Sequence, residues 1–334
     1  MTTGLSSVWR RDAGAALATV LVMLAIMSAL AIVVVDASRF SLRRAANQAT
    51  MEQTRWYILG AEAYAKQQIA RVRTLNAKGG IDQDEWQGRP FTFPLDDGVM
   101  RIVVRDGSNC FNLNSMVYRT DDETTVVRAS ALIEFARLLD VLNLRTAGTP
   151  GATLADWLDS DDQTLAGGAE QSSYAQTDAP YRPANGPIGD ISELRRIQGF
   201  TSEIVEAIAP FACVRPDVAP MVLNVNTLQP SQAALLAVTL GGDITPAVAR
   251  DIIRARPRGG WADVSAFFAM PRLAGLEVSD SLRAQFDVAS RYYLVLSRVE
   301  RGDISESAAS LIDTGGRVRV VRRIFGVGRS EVAL

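Results

Sequence analysis

The most constraining feature of this chain is the stretch Arg10-Arg11-Asp12-Ala13-Gly14-Ala15-Ala16-Leu17-Ala18-Thr19 and the uncharged apolar run that continues from it to Val35. A helix needs about 20 apolar residues to cross the hydrocarbon core of a bilayer, and this run is long enough. Three readings compete. As the h-region of a cleaved secretory signal it offers the small-x-small site Ala29-Leu30-Ala31, but the apolar run continues past that site. As a buried core helix it is unusually long for a stretch without a charge. As a retained anchor it meets the length criterion. Arg10 and Arg11 precede the run, whereas Arg39, Arg43 and Arg44 follow it, so charge bias leaves the orientation open.

Composition narrows the function. At 334 residues the chain has room for roughly two domains after an anchor. Its 35 basic residues nearly balance 37 acidic ones, which argues against a nucleic-acid protein without excluding a local basic patch. There is no histidine. Ser-His-Asp and Cys-His catalysis and histidine-ligated metal sites are therefore excluded. Cys110 and Cys213 are too few for a four-cysteine zinc site. They are either buried free thiols or, in an oxidising compartment, a pair.

The helix is expected to outrun the membrane. Met51, Ile58, Ala61, Ala65, Ile69 and Val72 recur at helical spacing, and Gly79-Gly80 ends the pattern. A helix from Ala15 to about Ala77 would be roughly 95 Å long. Short strands are expected at Phe91–Phe93 and Val99–Arg105 around the turn Asp96-Asp97-Gly98. Helical signals follow over Val126–Leu142, Asp190–Gly199, Glu203–Ala209, Pro230–Leu240, Thr245–Pro257 and from Asp263 to Pro271. Strand character returns at Tyr292–Glu300 and Val318–Phe325, with Gly315-Gly316 as a turn. The fold class expected is α+β: a long N-terminal helix and a sheet head interrupted by helices.

Two kinds of cluster carry chemistry. Asp156-Trp157-Leu158-Asp159-Ser160-Asp161-Asp162, Gly168-Ala169-Glu170, Tyr174, Asp178, Pro180-Tyr181 and Asn185 read as one long loop rich in hard oxygen donors. Calcium takes six to eight such oxygens, although this spacing is not that of an EF-hand, and a solvated acidic loop is the plainer reading. The asparagines of Phe111-Asn112-Leu113-Asn114 and Leu223-Asn224-Val225-Asn226-Thr227, with Asn109, are expected to tie down backbone.

In order, Gly14-Ala15 with its apolar run, Trp56-Tyr57-Ile58-Leu59-Gly60-Ala61-Glu62-Ala63, Phe111-Asn112-Leu113-Asn114, Asp156-Trp157-Leu158-Asp159, Gly168-Ala169-Glu170, Ser192-Glu193-Leu194-Arg195 and Asn224-Val225-Asn226-Thr227 resemble the K-type minor pseudopilin of bacterial type II secretion. That resemblance implies a prepilin leader over 1–14 and a transmembrane and stalk helix over 15–78. It implies a pilin-like antiparallel head over 79–119 and 289–334. Between them lie an inserted helical domain over 120–213 and a second helical subdomain over 214–288, together all-helical and similar to SAM or helix-hairpin-helix modules. Processing is expected between Gly14 and Ala15 by a prepilin peptidase, with a methylated new N-terminus. The fifth mature residue is Thr19, where most pilins carry Glu; a tip subunit has no neighbour above it to pair with such a carboxylate. The family binds calcium, and position by position the candidate ligands are Asp159, Asp161, Glu170, Asp178 and Asn185. Gln171 stands where the family often has Asp. Expected partners are the I- and J-type minor pseudopilins, the major pseudopilin, the prepilin peptidase and the inner-membrane secretion platform. The head is expected in the periplasm on a single-pass inner-membrane anchor.

If the helices are inserted into the head, their two ends must meet, which predicts a Cys110–Cys213 disulfide. Two other functions fit parts of the sequence. Asn224-Val225-Asn226-Thr227 with Arg254, Arg256 and Arg258 resembles the exported, helix-hairpin-helix DNA receptors of competence, but the hairpin Gly241-Gly242-Asp243-Ile244-Thr245 carries an acid and no lysine. A carboxylate-dependent hydrolase built on Asp159–Asp162 lacks any other sign of a substrate pocket. The expectation is a structural subunit, not an enzyme.

Overall fold

The computed structural model describes residues 8–76, 87–144, 148–177, 179–241 and 244–326. One helix, α1 (Val8–Asn76), runs unbroken for 69 residues, about 100 Å at 1.5 Å per residue. Its first half leaves side chains 14–49 exposed and contains a window of mean hydropathy 2.8, long and apolar enough to cross a membrane. Its second half buries one stripe: Thr54, Ile58, Ala61, Glu62, Ala65, Ile69 and Val72. Met51 does not join that stripe and is 47% exposed. The first fully buried apolar side chain of the stripe is Ile58, two turns further on, against Val299 and Ala308.

After α1 the hairpin β1 (Pro90–Leu95) and β2 (Gly98–Asp106) turns at Asp96-Asp97. Gly98 is required there, because a Cβ would lie 2.0 Å from the Glu300 carbonyl oxygen. Short strands β3 (Phe111–Asn112), β4 (Val117–Arg119) and β5 (Thr125–Val127) precede α2 (Ala129–Val141). The helix expected from Val126 thus starts three residues later, because Val126 pairs with Tyr118 in a hairpin. Then come α3 (Pro150–Leu158), α4 (Gln171–Tyr174) and a 3-10 turn, Ile191–Arg196, opened by the expected Asp190/Glu193 capping box. The chain continues through α5 (Ser202–Ile208), β6 (Ala212–Cys213), β7 (Leu223–Asn224) and α6 (Ala233–Thr239). Next is α7 (Pro246–Arg254), where the Thr245 hydroxyl accepts from Val248 N at 3.4 Å. It closes with α8 (Val264–Phe268), α9 (Asp280–Arg283), β8 (Phe286–Asp287), β9 (Tyr292–Arg301), β10 (Ile304–Asp313) and β11 (Arg319–Phe325).

The main sheet is antiparallel in the order β1-β2-β9-β10-β11. The stalk half of α1 lies on one face of it. Ala61, Ala65 and Ile69 share a core with Ile102, Val104, Tyr293, Val295 and Ile312. Tyr64 packs edge-on against Phe93, ring centroids 4.9 Å apart. Strand β10 went unread in the sequence because Ser305, Ser307 and Ser310 dilute its apolar alternation; pairing with β9 along its whole length defines it.

The helices are inserted between β2 and β9. Segments 120–213 and 214–288 pack around one apolar core that runs from Phe111 to Phe286. The parallel pair β3–β6 stands at one end of the first segment, and there Cys110 and Cys213 are joined by a disulfide, Cα–Cα 5.7 Å. The asparagines do bind backbone. Asn114 spans Arg215 O (2.8 Å) and Ile188 N (2.9 Å), and Asn226 brackets Trp261 from both sides. Asn109 Nδ2 donates to Asn224 O (3.2 Å), while its Oδ1 accepts from Asn224 N (2.8 Å).

Candidate metal centre

Asp156 and Asp159 sit at i and i+3 at the C-terminal end of α3 and so share a helix face. Glu170 is the N-cap position of α4. The three carboxylates are buried, and ligating oxygens from each lie within 4.8 Å of one another. The segment read as a loop is therefore partly helical and partly core. Asp156 to Leu158 are helical, and Trp157, Leu158, Ala169, Tyr174 and Ile188 pack in the central apolar cluster.

Local structure sets each acid. The backbone N–H of Leu165 donates to both Asp156 oxygens at 3.2 Å. Gly168 lies against this carboxylate so closely that a Cβ would be 1.9 Å from Asp156 Oδ2. The neighbouring loop is pinned by Thr149, whose hydroxyl donates to Gly167 O at 2.6 Å. By contrast, Asp159 Oδ1 and both Glu170 oxygens are buried without a hydrogen-bond partner. Burial, reinforced by Asp161 and Glu170, pushes the Asp159 carboxyl up to about 7. Burial, followed by Asp156 and Asp162, pushes Glu170 up to about 7. An isolated buried carboxylate is expensive unless it is paired, hydrogen-bonded or bound to a metal. A hard divalent cation would supply the missing partner for those orphaned oxygens, and the all-oxygen donor set suits calcium.

The remaining candidate ligands differ in what the structure shows of them. Asp161 is exposed; its Oδ1 accepts from Gln163 N at 2.7 Å, and it raises Asp159 from the rim. Asn185 adopts a left-handed backbone, φ 45°, and its Oδ1 is buried without a partner. Gly186 N donates to Trp157 O at 3.4 Å, which brings this segment back against α3. Asp178 lies outside the described residues. Sequence reasoning left Asp156 out of the ligand set; the readable signal was its i, i+3 spacing from Asp159. Arg256, counted earlier among bases for DNA, donates to Leu228 O at 2.9 Å and faces inward.

Two family models, both described as "Type II secretion system (T2SS), protein K", match residues 109–217 and 223–289. The chain is 35% identical over 323 residues to type II secretion system protein K of Klebsiella pneumoniae, covering 95% of this chain and 97% of that one. It is 32% identical to the protein of that name from Pectobacterium carotovorum, again over 95% and 97%. Among solved structures it resembles a chain of the GspK-GspI-GspJ complex from enterotoxigenic Escherichia coli, with a TM-score of 0.72 and 26% identity. That match covers 85% of this chain and all of the other.

Proposed function

Because this chain belongs to the type II secretion system protein K family, we propose that it is the minor pseudopilin at the tip of a secretion pseudopilus. The observation that carries the proposal is the two-part helix α1. One unbroken helix presents an apolar, exposed half and then a half docked on an antiparallel sheet. The first half suits a bilayer and a filament core; the second holds a folded head at a set distance from it. The head would stand in the periplasm on an inner-membrane anchor.

The expected processing is cleavage between Gly14 and Ala15 by the prepilin peptidase, followed by methylation. Thr19 then becomes the fifth residue. Its hydroxyl donates to Ala16 O at 2.8 Å, so no uncompensated polar group enters the hydrocarbon. The subunit acts through surfaces, not through a reaction. Its partners would be the I- and J-type minor pseudopilins, the major pseudopilin below them and the inner-membrane platform. Calcium would be held by Asp156, Asp159 and Glu170, with Asp161 and Asn185 close by, and would supply charge compensation that locks α3 to α4.

Co-expression tests the assignment. The head from Arg43 onward should co-purify in a defined complex with the I- and J-type subunits of its own organism. Elution of the head alone, with those two subunits pairing without it, would overturn the tip reading. Low-salt filter binding should retain no DNA on the head.

A further inference from the structure

A cleft of about 420 Å³ opens where the two helical segments meet, away from the acidic triad. One wall is a stripe of α2 that presents Ser130, Glu134 and Arg137 at one-turn spacing. The opposite wall is the C-terminal turn of α6, through Val238 and Leu240. Leu282 and Gln285 close the base. The volume lies within the range of ligand-holding clefts, roughly 300–1,000 Å³.

Its charge is weighted toward acid, two carboxylates to one guanidinium. Glu134 is half-buried, and among the described residues its side chain has one hydrogen bond, a neutral one: Gln285 Nε2 donates to Oε1 at 2.7 Å, across the seam between the segments. Among the described residues, no base lies within ion-pair distance of it. Burial holds its carboxyl above the usual range, against weaker opposing pulls from Gln285, Arg137 and Arg128. Glu277 adds a second carboxylate at the rim, against the single guanidinium of Arg137. A helix C-terminus carries partial negative charge, and the end of α6 forms part of the wall. Between these groups the half-buried Leu276 and Leu282 present aliphatic surface. A long apolar stem ending in a cation matches both features, because lysine and arginine bury their stems along apolar surface while the head seeks charge.

We propose that this cleft takes an arginine or lysine side chain presented by a partner polypeptide. Such an anchor would bridge α2 of one helical segment to α6 and α9 of the other. The cleft would do so whatever assembly the partner belongs to, so the proposal stands apart from the secretion assignment.

The full chain in detergent can be titrated calorimetrically with acetyl-Leu-Arg-Leu-amide. The comparison peptide replaces arginine by citrulline, which keeps the shape and removes the charge. The arginine peptide should bind at least about tenfold more tightly, the scale of a charge-assisted hydrogen bond. Glu134→Gln, which keeps an acceptor for Gln285, should bring the arginine peptide down to the citrulline level. Ser281→Trp, at the exposed rim, should block both peptides, and it carries the test if Glu134→Gln fails to fold. Equal binding of the two peptides, no binding at millimolar concentration, or binding untouched by Ser281→Trp would overturn the proposal. Spermidine binding as tightly as the arginine peptide would mark a small-amine site and would also overturn it.

Discussion

Glu62 on the stalk helix and Arg323 on the last strand, 261 residues apart, form a two-pronged ion pair, with Arg323 Nη2 donating to Glu62 Oε2 at 2.6 Å. The second prong joins Arg323 Nε to Glu62 Oε1, which also accepts from the Ser310 hydroxyl at 2.5 Å. The pair closes the end of the chain onto its beginning. It also fixes the rotation of α1 on the sheet, since the same stripe carries Ile58, Ala61 and Ala65.

The two partners differ in exposure, which makes their removal unequal. Glu62 is 3% exposed in its side chain and Arg323 is 33%. Arg323→Ala would strand a buried carboxylate and should cost about 3–5 kcal/mol. Glu62→Ala leaves a guanidinium that can turn to water and should cost less, about 2 kcal/mol. Urea unfolding of the head measures both; equal losses would contradict the asymmetry.

Acid should act through the same pair. Burial opposes the ionisation of Glu62, but the Arg323 and Ser310 hydrogen bonds outweigh it and hold the carboxyl below its ordinary 4.5. A depressed carboxyl contributes stability above its unfolded value, and that stability is lost as pH falls through the folded value. Melting temperature should therefore fall more steeply below pH 4.5 in the wild type than in Glu62→Gln. Parallel curves would mean that the pair does not set the acid limb.

The Cys110–Cys213 disulfide closes a separation of 103 residues. Cross-linking a loop of about a hundred residues is worth roughly 4–5 kcal/mol on the chain-entropy model. Peptide mapping of the unreduced protein should recover the linked pair. The Cys110→Ser/Cys213→Ser double variant should melt well below the wild type, and reductant should lower only the wild type.

Calcium should stabilise the head by about 2.7 kcal/mol at a hundredfold excess over Kd, read as a rise in melting temperature, and magnesium should do less. Asp159→Asn and Glu170→Gln should lose most of that response. They should also raise the calcium-free stability by about 1 kcal/mol, because each removes a buried charge with an orphaned oxygen. An unchanged calcium response in both variants would show that the triad holds no cation.

Gly168→Ala tests the triad without touching a carboxylate. Its Cβ would meet Asp156 Oδ2 at 1.9 Å, so Asp156 must move. The calcium response should weaken while the disulfide and the membrane anchor are unaffected. A full response would mean that Asp156 is not a ligand.

The anchor and stalk were legible in the sequence because a helix reports its own periodicity and an apolar run reports its own solvent. The β1–β2 hairpin and the Asp190 and Thr245 helix starts were readable for the same reason: each is decided by residues a few positions apart. That the asparagines bind backbone was readable from their type, but the backbone they bind lies 35 to 115 residues away. Other features depended on distant partners. Strand β10 exists because β9 pairs with it, and Val126 is a strand because Tyr118 lies opposite. Met51 looked like part of the docked stripe, but the sheet does not extend to it. The acidic segment offered candidate ligands in a loop, but only packing around Trp157 and Tyr174 buries three of its carboxylates together and brings Asp156 among them. Burial is what converts carboxylates in a row into a site, and burial is a property of the whole fold.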